Sequence, residues 1–420
     1  MYLYEHKRQI WLHCIYFHFL QFGVIDLEIS VIGAGAQGSA IAFILAKDSE
    51  VSGIVSADLD LDAAKRAAEE TKSDKISAER VDAGKVDDLL RVIKGSDTVV
   101  NATLPRFNPN IMKAALKGSA NYVDLSGYGP IKDTIPKVLA LKDSFKDAGL
   151  TAVIHQGGPF TTNVAVRYVA DRLDRVDEIR FRLGGTWGER EELIPAWKPG
   201  WSPETALTEW IPSAAIYEKG KWRHVPPFSG VEKYLFPEPI GSATVCNIDY
   251  EPTYTIPRFI ESVNYVDYKI RPDKMAGSLI KMGLASDKLI NVKGVEVAPR
   301  DVLLALTPPA IETREKIARE FREKERYGCS LAEVKGEKNG KKITHTVYRI
   351  SNTLVDYERW GTTGGGVAVP AALTAIMLAK GEISDRGVVP PEGLDSRLVL
   401  ARLAEKGWFF RERITKEIHK

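Results

Sequence analysis

The sequence predicts an α/β chain: a doubly wound parallel sheet, followed by an inserted α+β domain built on a mainly antiparallel sheet. Three observations carry this. From residue 26 to about residue 154, continuous apolar strands alternate with amphipathic helical stretches, the pattern of a parallel sheet covered on both faces. One apolar strand, Ile29-Ser30-Val31-Ile32, runs straight into Gly33-Ala34-Gly35-Ala36-Gln37-Gly38 and an alanine-rich helix. After Thr162 the period changes to strand-like alternation broken by hairpin turns.

The glycine motif defines the first unit. A pyrophosphate needs backbone N–H groups that approach closely at the positive end of a helix. Gly33 permits the tight turn, Gly35 brings the backbone to the phosphates, and Gly38 lets the helix pack near its strand, with Ala36 and Gln37 opening that helix. The second strand, residues 51–57, ends at Asp58, twenty residues beyond Gly38. Its carboxylate suits ribose hydroxyls and repels a 2′-phosphate, and Leu59 supplies no cation, so NAD is favoured over NADP. Asp58 also stands where it can cap the next helix.

The remaining elements follow in order: a helix over 62–71, a short strand at 75–81, a helix over 86–94 and a buried strand at 97–102. Then come a helix over 109–118, a strand at 122–125, a helix over 134–148 and a sixth strand at 150–154. This is a Rossmann domain, whose ligand lies beyond the carboxyl ends of its strands. Those ends carry Asp82, Asn101-Ala102-Thr103, Asp124-Leu125-Ser126-Gly127 and His155-Gln156-Gly157-Gly158. Asp82 is expected beside the adenine. Ala102, Thr103 and Ser126 are expected along the rest of the cofactor.

In the second unit, Ile179, Phe181 and Leu183 alternate with Arg180 and Arg182 as on a strand with one covered face. Residues 216–225 read as a hairpin around Lys219-Gly220, and 330–350 as a second one turned by Asn339-Gly340. Strands at 244–247 and 265–270 and helices at 278–282 and 311–324 complete it. Helices over 367–379 and 396–406 form a tail returning to the first domain. The expected divisions are thus 1–25, 26–160, 161–351 and 352–420.

Composition narrows the function classes. At 420 residues the chain needs more than one core. A net charge of +2, with acidic and basic residues interspersed, offers no footprint for nucleic acid or an anionic membrane. Three scattered cysteines, Cys14, Cys246 and Cys329, make neither a disulfide framework nor a zinc site; no metal is expected, and a cytoplasmic location is. Residues 1–25 include an apolar aromatic run interrupted by His13 and His18. No small-residue cleavage site follows it, and it is shorter than the ~20 residues a membrane span needs, so it reads as an extension outside the fold.

The chain resembles the saccharopine dehydrogenase family from residue 28 to 408. Its first-domain markers are the glycine motif, Ala57-Asp58, Val81-Asp82-Ala83-Gly84, Val99-Val100-Asn101-Ala102 and Tyr122-Val123-Asp124-Leu125-Ser126-Gly127. Later markers are Gly184-Gly185, Tyr217-Glu218-Lys219-Gly220-Lys221, Tyr234-Leu235-Phe236-Pro237, Thr255-Ile256-Pro257-Arg258 and Arg386-Gly387-Val388-Val389-Pro390-Pro391-Glu392. The layout is most similar to the NAD-dependent lysine 6-dehydrogenase branch, with saccharopine reductases and carboxynorspermidine dehydrogenases further away. The resemblance implies hydride exchange between a nicotinamide and a C–N bond of an amino acid, and a homodimer. It also implies chemistry at the ends of strands four to six. Many relatives carry an Asp-Pro-Gly or Ala-Pro-Gly turn after the sixth strand. Here Gly157-Gly158-Pro159-Phe160 stands instead, a bulky ring expected to narrow the site, so no particular substrate carries over.

Amine oxidation needs a neutral nitrogen, a hydride acceptor about 3–3.5 Å away and a base. His155 and Asp124 are the candidate proton carriers; His155 titrates in the useful range when unperturbed, and Asp124 has an alternative role in orienting the cofactor ribose. A substrate carboxylate calls for a cation, first Arg106, then Arg190 or Lys198 in the loop that Gly184 and Gly185 open. Trp187, Trp197 and Trp201 suit either a lid or ordinary packing. Two alternatives stay open: a semialdehyde dehydrogenase, which lacks its nucleophilic cysteine at the start of the second unit, and a non-catalytic NAD-binding regulatory or assembly protein.

Overall fold

The computed structural model describes residues 26–127, 131–186, 197–199, 201–308, 326–362 and 365–416. The first unit contains β1 (Leu27–Ile32), α1 (Ala36–Lys47), β2 (Val51–Asp58), α2 (Leu61–Thr71), β3 (Ile76–Arg80) and α3 (Val86–Ile93). It continues with β4 (Thr98–Asn101), α4 (Asn108–Lys117), β5 (Asn121–Asp124), α5 (Ile131–Leu139), α6 (Lys142–Asp147), β6 (Thr151–Val153) and α7 (Phe160–Ala170). Strands such as β1 and β4 are buried along nearly their whole length, because helices cover both faces.

The second unit contains β7 (Arg175–Gly185), α8 (Pro203–Thr208), β8 (Ala214–Glu218), β9 (Lys221–Val225), β10 (Glu232–Leu235), β11 (Ser242–Asn247), α9 (Pro252–Phe259) and β12 (Tyr265–Ile270). It goes on through α10 (Lys274–Lys281), β13 (Ile290–Val292), β14 (Val295–Val297), α11 (Pro299–Leu306), β15 (Tyr327–Lys338) and β16 (Lys341–Asn352). The chain then forms α12 (Thr353–Trp360), α13 (Gly365–Ala379), β17 (Gly387–Val389), α14 (Ser396–Glu405) and β18 (Arg411–Lys416).

The first sheet runs β17-β6-β5-β4-β1-β2-β3, every pairing parallel. Strand order reverses between β1 and β4, and a ligand crevice opens at that point. Helix α13 is apolar on all sides because it is buried on all sides, packed on α1 and across β1, β4 and β5. The second sheet runs β10-β11-β12-β7-β15-β16-β18, with β8 and β9 attached beside β12. The β15–β16 turn holds Asn339 at φ 50° and Gly340 at φ 71°, the left-handed pair the sequence predicts. One face of this sheet, with Ile179, Phe181, Val266 and Tyr268, packs on α7 and α9.

The structure departs from the sequence reading at several elements. The helix expected over 134–148 is two helices, α5 and α6, parted at Ala140-Leu141. A seventh strand, β17, extends the parallel sheet beside β6; three residues flanked by turns carry too little pattern to be seen. Helix α7 begins at Phe160, directly after the turn that follows β6. The tail does not only return to the first unit, because β18 joins the second sheet against β16. That sheet is mixed, since β12 and β7 run parallel. The helix expected at 311–324 lies outside the described residues.

The second sheet is fixed at its centre by an ion pair. Arg182, only 2% exposed, donates from Nη1 and Nη2 to both oxygens of Asp267 at 2.8 and 3.1 Å, and from Nε to Glu232 at 2.5 Å. It holds β7 to β12, the strands that present Phe181 and Tyr268. Arg182→Ala strands a buried Asp267 carboxylate, and urea denaturation is expected to show a loss of about 3–5 kcal/mol.

Candidate functional site

The glycine loop is built by close approach. Gly33 has φ +100°, and a Cβ there would sit 2.7 Å from the Ala102 carbonyl oxygen. A Cβ on Gly38 would sit 1.8 Å from the Gly33 oxygen, whereas one on Gly35 would meet nothing within 4 Å. The loop therefore crowds against the turn after β4 on one side and leaves its outer face open at the N-terminus of α1. No side chain caps that helix, and its first turn carries no acid. These residues fit a bound pyrophosphate. Asp58 closes the loop from below: its Oδ2 accepts the Ala34 N–H at 2.7 Å and its Oδ1 the Asp60 N–H at 3.0 Å. It is a loop clamp, and a carboxylate retains further lone pairs for a ribose.

The loop after β4 lies alongside. Ala102 N–H bonds the Ile32 carbonyl, and Thr103 bonds the Asn101 side chain through both N–H and hydroxyl. Ser126 sits at the end of β5, its carbonyl taken by the Asn108 amide at 2.9 Å. At the end of β3, Asp82 is engaged in its own turn, accepting from Gly84 N–H and pairing with Lys85 at 3.4 Å.

Asp124 and His155 meet, but through the backbone. Asp124 Oδ1 accepts the His155 main-chain N–H at 2.7 Å, and the Asp124 carbonyl accepts Gln156 N–H at 2.8 Å. This pins β5 to the turn after β6, where His155 adopts φ 62°, a conformation that costs a side-chain-bearing residue about 1–3 kcal/mol. Burial pushes the Asp124 carboxyl up to about 7. Burial pushes His155 down to about 3, so its imidazole is neutral at physiological pH. The expectation that His155 titrates usefully is thereby corrected. Among the described residues its Nδ1 is buried without a partner.

The second unit supplies the opposite wall. Glu251, at the start of α9, accepts the Gly127 N–H on Oε1 at 2.7 Å. A Cβ on Gly127 would lie 3.3 Å from that oxygen and 3.4 Å from His155 Nε2, so carboxylate and imidazole both border the glycine. The neighbouring Tyr250 donates its hydroxyl to Glu209 Oε2 at 3.1 Å and stacks on Tyr268, centroids 4.9 Å apart. Burial raises Glu251, and raises Glu209 to about 8 with the Glu251 and Asp273 charges adding to it. Glu392, fully buried and raised by burial to about 7, accepts from Asn163 at 3.2 Å.

The predicted substrate contacts have these partners. Arg106 reaches across to Glu204 of α8, N to O 2.6 Å, and stacks on Phe107. Gly184 is explained by packing: a Cβ there would lie 2.5 Å from the Phe236 ring, in the cluster with Cys329 and Leu331. Gly185 gives its carbonyl to Arg271 at 2.8 Å. Trp197 donates to Asp273 at 3.0 Å, and Trp201 is exposed. Arg190 and Trp187 lie outside the described residues. Phe160, expected to narrow the site, is fully buried in the core of the first unit. Cys246 and Cys329 are buried thiols pushed up to about 11 and about 12 by burial.

Sequence reasoning missed Glu209, Tyr250, Glu251 and Glu392. The available signal for Glu251 was Asp249-Tyr250-Glu251-Pro252, charge placed directly after an apolar strand and before a helix-starting proline.

Two family models match in sequence: the saccharopine dehydrogenase NADP binding domain over residues 29–153 and the saccharopine dehydrogenase C-terminal domain over residues 165–408. Carboxynorspermidine synthase of Vibrio cholerae serotype O1 is 25% identical, covering 88% of this chain and 92% of that protein. Carboxynorspermidine synthase of Vibrio alginolyticus is 26% identical, covering 92% and 97%. Among solved structures, apo saccharopine dehydrogenase (L-Glu forming) from Saccharomyces cerevisiae superposes with a TM-score of 0.66 at 17% identity over 93% of this chain and 100% of that one, a likeness of fold. The chain belongs to the saccharopine dehydrogenase family of NAD(P)-binding oxidoreductases.

Proposed function

We propose that this protein interconverts an imine and an amine with NAD(P), forming or cleaving a C–N bond product of the carboxylated-amine type. The observation that carries the reading is the meeting of His155 and Glu251 at Gly127, which places a carboxyl raised by burial beside an imidazole at the strand ends. Two nearly full-length relatives named carboxynorspermidine synthase support a carboxylated polyamine over lysine or saccharopine. Asp58 and the exposed Leu59 support NAD; a homodimer in the cytoplasm is part of the proposal.

When bound, the nicotinamide supplies or accepts the hydride. The protein's own part concerns the nitrogen. An imine accepts hydride readily only when its nitrogen is protonated or strongly hydrogen-bonded. Glu251, raised by burial, is the carboxyl placed to exchange a proton with that nitrogen, and its carboxylate then faces the resulting cation. His155 stays neutral and offers a hydrogen-bonding imidazole rather than a competing positive charge. Asp124 acts from beneath, fixing the turn that presents His155.

The reading is tested by following NADH or NADPH consumption with an amino-acid semialdehyde plus a diamine, and reduced-cofactor formation with carboxynorspermidine, saccharopine or lysine. Turnover with lysine alone would overturn the carboxylated polyamine assignment. Glu251→Gln should lower kcat by about a hundredfold or more while cofactor affinity, measured by fluorescence titration, is kept.

Asp58→Ala should raise the KM for NAD at least about tenfold more than that for NADP. Both cofactors share the loop that Asp58 clamps, so only the ratio reports the ribose contact. An unchanged ratio would remove it.

The pH dependence of stability follows from the raised carboxyls. Asp124, Glu209 and Glu392 keep protons in the folded chain up to about 7, 8 and 7, while ordinary unfolded values are 3.8 and 4.5. Folded values above unfolded ones give stability that is complete below the unfolded values and lost as pH rises through the folded ones. Thermal unfolding of the cofactor-free protein should therefore shift to lower temperature between about pH 5 and about pH 9. Asp124→Asn should make that slope shallower.

A further inference from the structure

Resting on the oxidoreductase reading, we propose that Glu392 is a positioning residue for His155. Its carboxylate, together with Asn163, draws the imidazole proton to Nδ1 and leaves Nε2 as a bare lone pair at the cleft.

Strand β17 brings the two residues together. It runs parallel to β6 with Val389 paired to Val153, and the Val389 carbonyl accepts the Ile154 N–H at 3.1 Å. The carboxyl ends of both strands therefore open on the ligand side of the sheet. His155 follows directly from β6 and Glu392 comes three residues after β17, so neighbouring strands deliver an imidazole and a carboxyl to one edge. Glu392 is completely buried there and held from two helices. Asn163, in the first turn of α7, donates its amide to Oε2 at 3.2 Å. Arg167, one turn further on, pairs with Asp171 at 2.8 Å and turns Nη1 to the Glu392 carbonyl at 3.4 Å, so no cation is spent on the carboxyl itself. Thr255 of α9 stands beside the carboxyl, and its hydroxyl donates to the Glu251 carbonyl at 3.1 Å. The one like charge acting on Glu392 is that of Glu251.

A second, independent observation is a set of unsatisfied atoms at this edge. Among the described residues, His155 Nδ1, Glu392 Oε1, Asn163 Oδ1 and the adjacent Thr162 Oγ1 are all buried without a partner. Buried polar atoms of this kind are satisfied by closing on one another or through an enclosed water. Asn163 Oδ1 and an ionised Glu392 Oε1 can only accept. A neutral imidazole has one N–H to give, and the partner of one ring nitrogen decides which of the two carries it. Acceptors behind the ring, met directly or through the Thr162 hydroxyl or one water, place the proton on Nδ1. Nε2, which borders Gly127, is then an acceptor. The N–H of a protonated imine is a donor, so it meets a lone pair there; the other tautomer would set N–H against N–H.

Nitrogen-15 NMR of the full chain labelled in its histidine rings tests this at pH 9, above the value of about 7 to which burial raises Glu392. The His155 signals are those lost in His155→Asn, a residue that tolerates the positive φ at this position. Wild-type His155 should carry its proton on Nδ1. In Glu392→Gln the amide carbonyl keeps the Asn163 bond, and the NH2 stands where Oε1 stood. A donor there should move the proton to Nε2, and kcat for imine reduction should fall at least about tenfold with cofactor affinity kept. Glu392→Asp retains a carboxylate and should keep the wild-type tautomer. A wild-type His155 protonated on Nε2 would overturn the assignment without recourse to any variant, as would a folded Glu392→Gln protein that keeps the proton on Nδ1. The tautomer is read without turnover. The expected tautomer in a protein that reduces no imine would sink the oxidoreductase reading alone, and imine reduction with the proton on Nε2 would sink the positioning role alone.

Discussion

The approach of α1 to the end of β1 is the contact on which the rest of the molecule depends. With less than 2 Å between the Gly33 oxygen and any Cβ that position 38 could carry, the helix can only sit there with glycine, and the loop between is forced against Ala102. That one contact sets the crevice at which strand order reverses, and it points the open end of α1 outward. Asp58, drawn in to satisfy the Ala34 N–H, ties β2 to the same loop. The strand ends that follow, at β4, β5 and β6, are then arranged around a fixed edge, and each contributes polar groups because its backbone stops pairing there.

What was legible in the sequence divides along this line. Glycine positions are steric requirements, and steric requirements write themselves into a chain locally: Gly33, Gly35 and Gly38 were read with their spacing, and Asp58 with them. The Asn339-Gly340 turn was legible for the same reason, since φ > 0 at two successive residues selects few side chains. Strand β17 and the split between α5 and α6 were not, because three residues make no period and a helix break at Ala140-Leu141 carries no breaker at the break itself. Gly184 shows the opposite error. It looks like a site glycine in a motif, yet its reason is the Phe236 ring packed onto it from β10's far end.

The candidate site was half legible. Asp124 and His155 stand at strand ends, where fold topology alone places them near a ligand. Their roles were not readable, because those depend on which atom meets which: a main-chain N–H, not the imidazole, takes the Asp124 oxygen. Glu209 and Glu251 were invisible for another reason. They lie some fifty to a hundred residues beyond the first domain's strands, on an α8 terminus and an α9 start, and only tertiary packing brings Glu251 to Gly127. Acidic residues at helix ends are ordinary caps in most chains.

The opposite shifts of these groups share a single cause and explain how the site can work. Burial disfavours charge of either sign, so it pushes His155 down to about 3 while raising Asp124, Glu209, Glu251 and Glu392. A cationic substrate reverses the balance: its charge lowers the carboxyl affinities for protons, so amine binding and carboxyl ionisation become one event. In the proposed reaction Glu251 is the side chain that would both exchange a proton with the nitrogen and face the cation that results. A wall of permanently ionised carboxylates could hold the amine, but it would have no proton to give.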